Sequence, residues 1–262
     1  VKLLDSNKPV SGITGAVQTP SGRFQLALVP ESMMTQMGED VFDQLLSRQP
    51  VSRDVAVNKQ VQCVAQKIVN AAEVHYSTAD LPDAWEIVVF ENPSPNAFAL
   101  PGGRIGVNTG LLKVAETPAQ LAAVIGHEVA HVLADHGNER LTQQLGIKAV
   151  LLLVGILGEG DFGQQQLMQA LGLGAQLGIS LPFSRTHEEE ADLMGLEIMA
   201  LAGFDPHQSV ALWRNMATVG GGQPPEFLST HPAHGSRIEA LQQVMEKALE
   251  AYNDSNPADC SR

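Results

Sequence analysis

His127-Glu128-Val129-Ala130-His131 carries the clearest chemistry in the sequence. Histidines at i and i+4 of a helix stand about one turn apart on one face, where both imidazoles can chelate a single Zn²⁺. A glutamate between them can take a proton from the attacking water. So short a pattern also arises by chance, as two polar side chains on a solvated helix face. The flanks oppose that reading. Leu121-Ala122-Ala123-Val124-Ile125-Gly126 precedes it, and Val129, Ala130, Val132 and Leu133 are apolar, so the helix is expected to be buried. Buried imidazoles need partners, and a metal ion supplies one.

A catalytic zinc needs a third protein ligand and an open fourth position. The longer metzincin pattern fails, because Ala134 and Gly137 stand where its glycine and third histidine belong. His136 is expected off the metal face, at the surface or behind a ligand. A better source is the segment Arg185-Thr186-His187-Glu188-Glu189-Glu190-Ala191-Asp192. There Glu188 and Asp192 share a helix face. Glu188 can coordinate while Asp192 accepts a hydrogen bond from a ligand histidine, fixing its tautomer. A plainer reading makes the three glutamates a solvated run favoured by the helix dipole, and these residues alone do not exclude it. His187 and His234 are read as surface residues, and Arg185 and Arg237 as structural anchors for nearby carboxylates. His231, before Pro232, reads on its own as a turn residue.

Around these residues the chain is organised simply. Residues 1–30 are rich in Gly, Pro, Ser and Thr and read as an extended arm. Helical patterning covers 31–72, broken at Gln49-Pro50, with Val57, Val61, Val64, Ala65 and Ile68 on one face. Trp85–Phe90 reads as a strand, and 96–108 as a hairpin turning at Gly102-Gly103. Thr117-Pro118 starts the helix that carries the histidines, expected to end near Gly137. A helical stretch over 141–181 is apolar on several faces. Further helices are expected over 186–202, from Asp205-Pro206 to Gly220, and over 236–252. The expected fold is α+β, a mostly helical zincin-like domain over 31–252 with a small β-sheet over the active-site helix. A tail, 253–262, follows.

The formal charge is −13, from 16 basic and 29 acidic residues, and only 5% of the residues are aromatic. Nucleic acid is therefore excluded as a first reading, since phosphate backbones need basic patches and single strands need stacking platforms. Cys63 and Cys260 form either one long-range disulfide or two unrelated thiols. The disulfide is expected, because a cysteine so near the C-terminus has little else to do, and an oxidising compartment would follow. No apolar run approaches the roughly 20 residues of a membrane span. The chain starts at Val1 without a leader pattern, as either a secreted protein with its signal removed or a trimmed chain would.

His127-Glu-Val-Ala-His131 joined to Glu188-x-x-Ala-Asp192 resembles the gluzincin-type zinc metallopeptidases that include HtpX and the CAAX prenyl protease. Asn96-Ala-Phe-Ala-Leu-Pro-Gly-Gly103 before Gly110-Leu-Leu112, and Ser229-Thr-His231-Pro232 before Arg237-Ile238, add to the resemblance, which spans about 60–250. It implies one zinc held by His127, His131 and Glu188, with Glu128 as general base and Asp192 behind a ligand. It also brings His231 close to the zinc, as a fourth ligand that shuts the site or as a donor to the oxyanion. The missing transmembrane helices point to the soluble periplasmic or lipoprotein branch, that of the beta-barrel assembly-enhancing proteases. The expected function is endoproteolysis of unfolded or misassembled envelope proteins, with peripheral contact to the membrane or the outer-membrane assembly machinery. Substrate would add a strand at Asn96, Ala97, Phe98 and Ala99. The alternative is a chaperone-like assembly factor whose zinc site is latent, blocked by His231 or by 141–181. An aminopeptidase would need an acidic anchor for the substrate amine, and no motif marks one.

Overall fold

The computed structural model describes residues 16–76, 81–146, 182–219, 226–232 and 236–261. A short hairpin, β1 (Ala16–Gln18) and β2 (Phe24–Leu26), leads into α1 (Glu31–Arg48) and α2 (Val55–His75). Next come β3 (Glu86–Phe90), β4 (Ala97–Leu100) and β5 (Arg104–Asn108), then α3 (Pro118–Leu133) and α4 (His136–Leu145). The remaining helices are α5 (Arg185–Leu201), α6 (His207–Thr218), the short α7 (Glu226–Thr230) and α8 (Ser236–Asn253). The fold is the expected mostly helical α+β arrangement.

Helix α3 is the axis of the core. The Thr117 hydroxyl accepts from Gln120 N, Pro118 occupies the first turn, and every residue from Gln120 to His131 is buried. Its neighbours are α2, α5, α6 and β4. Helix α2 starts on Asp54, whose carboxylate accepts from Ala56 N and Val57 N. It turns the expected stripe of Val57, Val61, Val64, Ala65 and Ile68 inward.

The three-stranded sheet has the order β3-β5-β4, parallel across β3 and β5 and antiparallel across β5 and β4. Gly102 and Gly103, both at positive φ, make the hairpin turn. Strand β4 is thereby an edge, and it lies against α3. The order also decides which β4 groups are free. Asn96 O accepts from Asn108 N, so alternation along the strand points Ala97 and Ala99 away from β5.

Three local differences from the sequence reading matter. The extended arm contains paired strands, and its continuation is fixed to α4: Leu28 N donates to Thr142 Oγ1, and Asn138 exchanges two hydrogen bonds with the Val29 backbone. The active-site helix does not reach Gly137. It stops at Ala134, and Asp135 takes a left-handed conformation (φ 53°) before α4 starts. Aspartate tolerates that region better than most residues, and nothing in the periodicity marks the break. Helix α7 was not expected at all. Of the apolar stretch 141–181, residues 147–181 lie outside those described, as does His234.

Cys63 on α2 and Cys260 are bonded, with Cα atoms 5.7 Å apart. The tail passes over Gly203, where Ala258 N donates to Gly203 O. No described helix is long and apolar enough to cross a membrane.

Helices α3 and α5 meet backbone to backbone. A Cβ on Gly195 would lie 2.8 Å from His127 N, and one on Gly126 would lie 2.9 Å from Gly195 O. Neither neighbour is a side chain that could move aside. Gly195→Ala must therefore spread the two helices, and it should lower stability by about 1–3 kcal/mol in urea unfolding, as other overpacked cores do. Zinc affinity should fall with it, measured by chelator competition.

Candidate active site

The contact at Gly126 and Gly195 places the first turns of α5 beside the middle of α3. His127, His131, Glu188 and His231 converge there, each buried and each offering one atom, and the four atoms all lie within 4.8 Å of one another. His127 Nε2 and His131 Nε2 face each other at 3.0 Å. Glu188 Oε2 lies 3.5 Å from the first and its Oε1 lies 3.4 Å from the second.

Several of these atoms have no hydrogen-bond partner: both oxygens of Glu188, Glu128 Oε1 and His231 Nε2. Arg237 Nη1 comes within 2.8 Å of Glu188 Oε2 as an ion pair, but outside hydrogen-bond geometry. Orphaned buried polar atoms are costly. Two imidazole nitrogens, a carboxylate and a third imidazole gathered around one point fit Zn²⁺, which takes nitrogen and oxygen donors in a tetrahedron.

The electrostatics agree. Burial pushes the His127 imidazole down, but Glu188 and Asp192 outweigh it and lift its pKa to about 9. Glu188, despite burial, is held down at about 2, chiefly by His127 and then by His231 and Arg237. This spot attracts positive charge. His131 and His231 are driven well below the usual range, first by burial and, among charges, by neighbouring imidazoles, which favours the neutral form an imidazole needs to bind a metal. Glu128 is different: burial raises it to about 8. Its Oε2 accepts from Ala99 N at 3.2 Å, and its Oε1 lies 3.3 Å from His231 Nε2.

Behind His127, its Nδ1–H donates to Asp192 Oδ1 at 3.0 Å. Arg237 grips that carboxylate with two bonds of 2.6 Å and stacks over Trp213 at 3.8 Å. This is the anchoring role expected of Arg237, and fork-to-fork geometry makes it strong. Arg185 instead pairs with Glu189 at the surface. Aromatic rings complete the walls, with Phe183 stacked on His131 at 3.9 Å and Phe227 on His231 at 4.4 Å.

One expectation needs correction. His187 is not a surface residue: it is 1% exposed, caps α5 with Ser184, and meets Glu139 Oε2 at 2.9 Å. Of the two places expected for His136, the surface or behind a ligand, the structure has the second. His136 is fully buried, with Nδ1 2.9 Å from His131 Nδ1. The left-handed Asp135 folds the chain back, so a residue that helical projection aims elsewhere returns to the ligand. Of the acidic run, Glu188 and Glu190 are buried and Glu189 alone faces solvent. Asn96 is buried with Oδ1 unpartnered, and Ala97, Phe98 and Ala99 lie on the edge strand beside the site.

A buried helix with this histidine pair, answered by a glutamate from a second helix and flanked by an edge strand, defines the zincin-type metallopeptidases as a class. The sequence profile of peptidase family M48 matches residues 56–245, and the chain belongs to that family, whose metal is zinc. It is 34% identical over 247 residues to the mitochondrial metalloendopeptidase OMA1 of Arabidopsis thaliana, covering 93% of this chain and 47% of that protein. It is 37% identical over 213 residues to OMA1 of Saccharomyces cerevisiae, covering 77% and 59%. To the beta-barrel assembly-enhancing protease of Escherichia coli it is 27% identical over 212 residues, covering 78% and 42%. The chain thus spans about half the length of the curated relatives it matches. Relatives named as mitochondrial stand beside ones named for β-barrel assembly, a wider spread than the periplasm expected from the sequence.

Asp192 fixes the His127 tautomer and is itself fixed by Arg237. Asp192→Ala should weaken zinc binding about 10–100-fold, as loss of the partner behind a ligand does elsewhere. Chelator competition measures this directly; unchanged affinity would mean that His127 does not depend on the aspartate.

Proposed function

We propose that this protein is a zinc metalloendopeptidase that cleaves unfolded or misassembled proteins, with zinc held by His127, His131 and Glu188 and with His231 closing the site at rest. The observation that carries the reading is the convergence of unpartnered donor atoms beside an edge strand whose Ala99 N reaches the Glu128 carboxylate.

Bound zinc supplies Lewis acidity and makes water a nucleophile near neutral pH. Glu128 is placed to take a proton from the attacking water and pass it to the leaving amine. Its burial-raised pKa suits a group that must both accept and release a proton. The outward backbone groups of Ala97 and the outward carbonyl of Ala99 suit pairing with an extended substrate strand, Ala99 N being taken by Glu128. A cleft of about 440 Å³ continues from His131 past Ala99 and Pro101 to Val17, Met34 and Phe183. Extended segments fit such a cleft, whose lining mixes apolar residues with Thr19, Gln25 and Asn138, and they are exposed mainly in unfolded chains.

His231 favours closure over direct catalysis. Its Nδ1 lies 3.0 Å from the Thr230 hydroxyl, which can donate or accept, and 3.2 Å from Phe227 O, which only accepts; closure takes the tautomer in which Nδ1 carries the proton and serves both oxygens. In the neutral ring Nε2 then holds a lone pair, which can ligate zinc but cannot donate to an oxyanion. Four protein donors make a closed site. A chaperone-like factor with a latent site is the second reading, favoured by this same nitrogen. The disulfide supports an oxidising compartment such as the cell envelope. The relatives named for β-barrel assembly support peripheral contact with membrane or outer-membrane assembly machinery.

Glu128→Gln should keep its zinc and lose casein cleavage by about 10²-fold or more. His231→Ala should raise casein cleavage above that of the parent protein. A fall in cleavage with zinc retained would end the closure reading, and zinc binding without cleavage in either form would favour the chaperone.

A further inference from the structure

The partner behind His131 is a chain of side chains that no catalytic step above uses. His131 Nδ1 and His136 Nδ1 are 2.9 Å apart, His136 Nε2 and Glu190 Oε2 are 3.0 Å apart, and all three residues are buried. Glu190 is held from the β1–β2 hairpin. Thr19 Oγ1 donates to its Oε1 at 2.5 Å, Ser21 Oγ donates to the same oxygen, and Arg23 Nε donates to Oε2 at 2.5 Å. Arg23 also pairs with Glu139 at 2.7 Å, and Glu139 meets His187, whose ring stacks on His136 at 4.6 Å.

For a neutral His136 ring the hydrogen bonds allow one assignment of protons. A carboxylate caught between two hydroxyls and a guanidinium is an acceptor, so His136 Nε2 donates to it. In a neutral ring His136 Nδ1 is then an acceptor, and His131 Nδ1 must donate. That leaves the lone pair of His131 on Nε2, the atom facing His127 and Glu188.

We infer that His136 and Glu190 are positioning residues for the metal ligand His131, and that the N-terminal β-hairpin, through Thr19, Ser21 and Arg23, is the built-in clamp on that chain. The inference rests on the zinc reading above and adds to it that metal affinity is set partly by a hairpin remote in sequence from every ligand. It predicts that the two ligand histidines are fixed independently, His127 by Asp192 and His131 through His136.

The test is zinc affinity of the whole protein by chelator competition, with the visible spectrum of the Co²⁺ form as a second readout. His136→Leu should lose about 10–100-fold in zinc affinity and shift the Co²⁺ bands. His136→Asn, whose Oδ1 can stand in for Nδ1 as acceptor, should recover most of that loss. The paired change Thr19→Val with Arg23→Gln, on the partly exposed hairpin, should weaken zinc several-fold while leaving the urea unfolding midpoint of the zinc-free protein little changed. Equal losses for the leucine and asparagine forms, or unchanged affinity in His136→Leu, would overturn the inference. Wild-type protein that binds no zinc, with Glu188→Ala no different from it, would instead overturn the reading of the site.

Discussion

Everything at this site depends on two helices touching without side chains between them. The first turns of α5 must bring a carboxylate within reach of imidazoles in the middle of α3, and ordinary helix packing holds axes about 8–10 Å apart. Gly126 and Gly195 remove the Cβ atoms at the crossing, so the backbone of α5 rests on His127 itself. A residue of any other type at either point would move Glu188 away from both histidines together. The apolar surroundings of α3 then act in the same direction as the geometry. They exclude water, which makes the cluster of unpartnered atoms costly without a cation and strengthens each charge–charge interaction within it.

So much buried charge persists only because it is paired. Arg237 faces Asp192 and Glu188, and Arg23 faces Glu190 and Glu139. The two arginines come from opposite ends of the described chain, yet each closes a network that leads to one ligand histidine. Replacing Arg237 or Asp192 alone would leave its counter-charge buried and unpaired, a far larger penalty than loss of a surface ion pair, whereas the partly exposed Arg23 is screened by water. The hairpin and α8 are thereby tied to the cluster of His127, His131, Glu188 and His231.

The sequence made the histidine pair, Glu128, the buried character of α3 and the edge strand legible, because each rests on local spacing: 3.6-residue periodicity, a helix cap, a glycine turn. Glu188 and Asp192 were legible as a pair, but only the resemblance to known metallopeptidases raised them above a solvated acidic run. The roles of His136, His187 and Glu190 were not legible. Their partners lie 54 positions apart for His136 and Glu190, and 48 for His187 and Glu139. One backbone angle, at Asp135, aims His136. No periodicity encodes a single left-handed residue, so a helical projection carried through it places everything beyond on the wrong face. Asp135, two residues before Gly137, was the one available signal, since aspartate is among the few residues that accept that conformation.

Closure by His231, in the reading proposed above, is local in its energetics. The segment bearing it is the short helix α7 and the two residues after it, and among the described residues its backbone bonds to other segments are Phe183 N to Thr230 O and Phe227 N to Pro95 O. The ring is held by stacking on Phe227, inside the same segment, rather than by an ion pair across the core. Moving the segment breaks a handful of contacts, among them two long bonds of 3.5 Å from Arg237 Nη1 to His231 O and Pro232 O, and leaves the Arg237–Asp192 pair and the Arg23 network in place. Openings of that size cost much less than global unfolding. The division follows from the physics of each part: the ligands that must stay are locked by buried charge, and the one that must leave is held by contacts that can be remade.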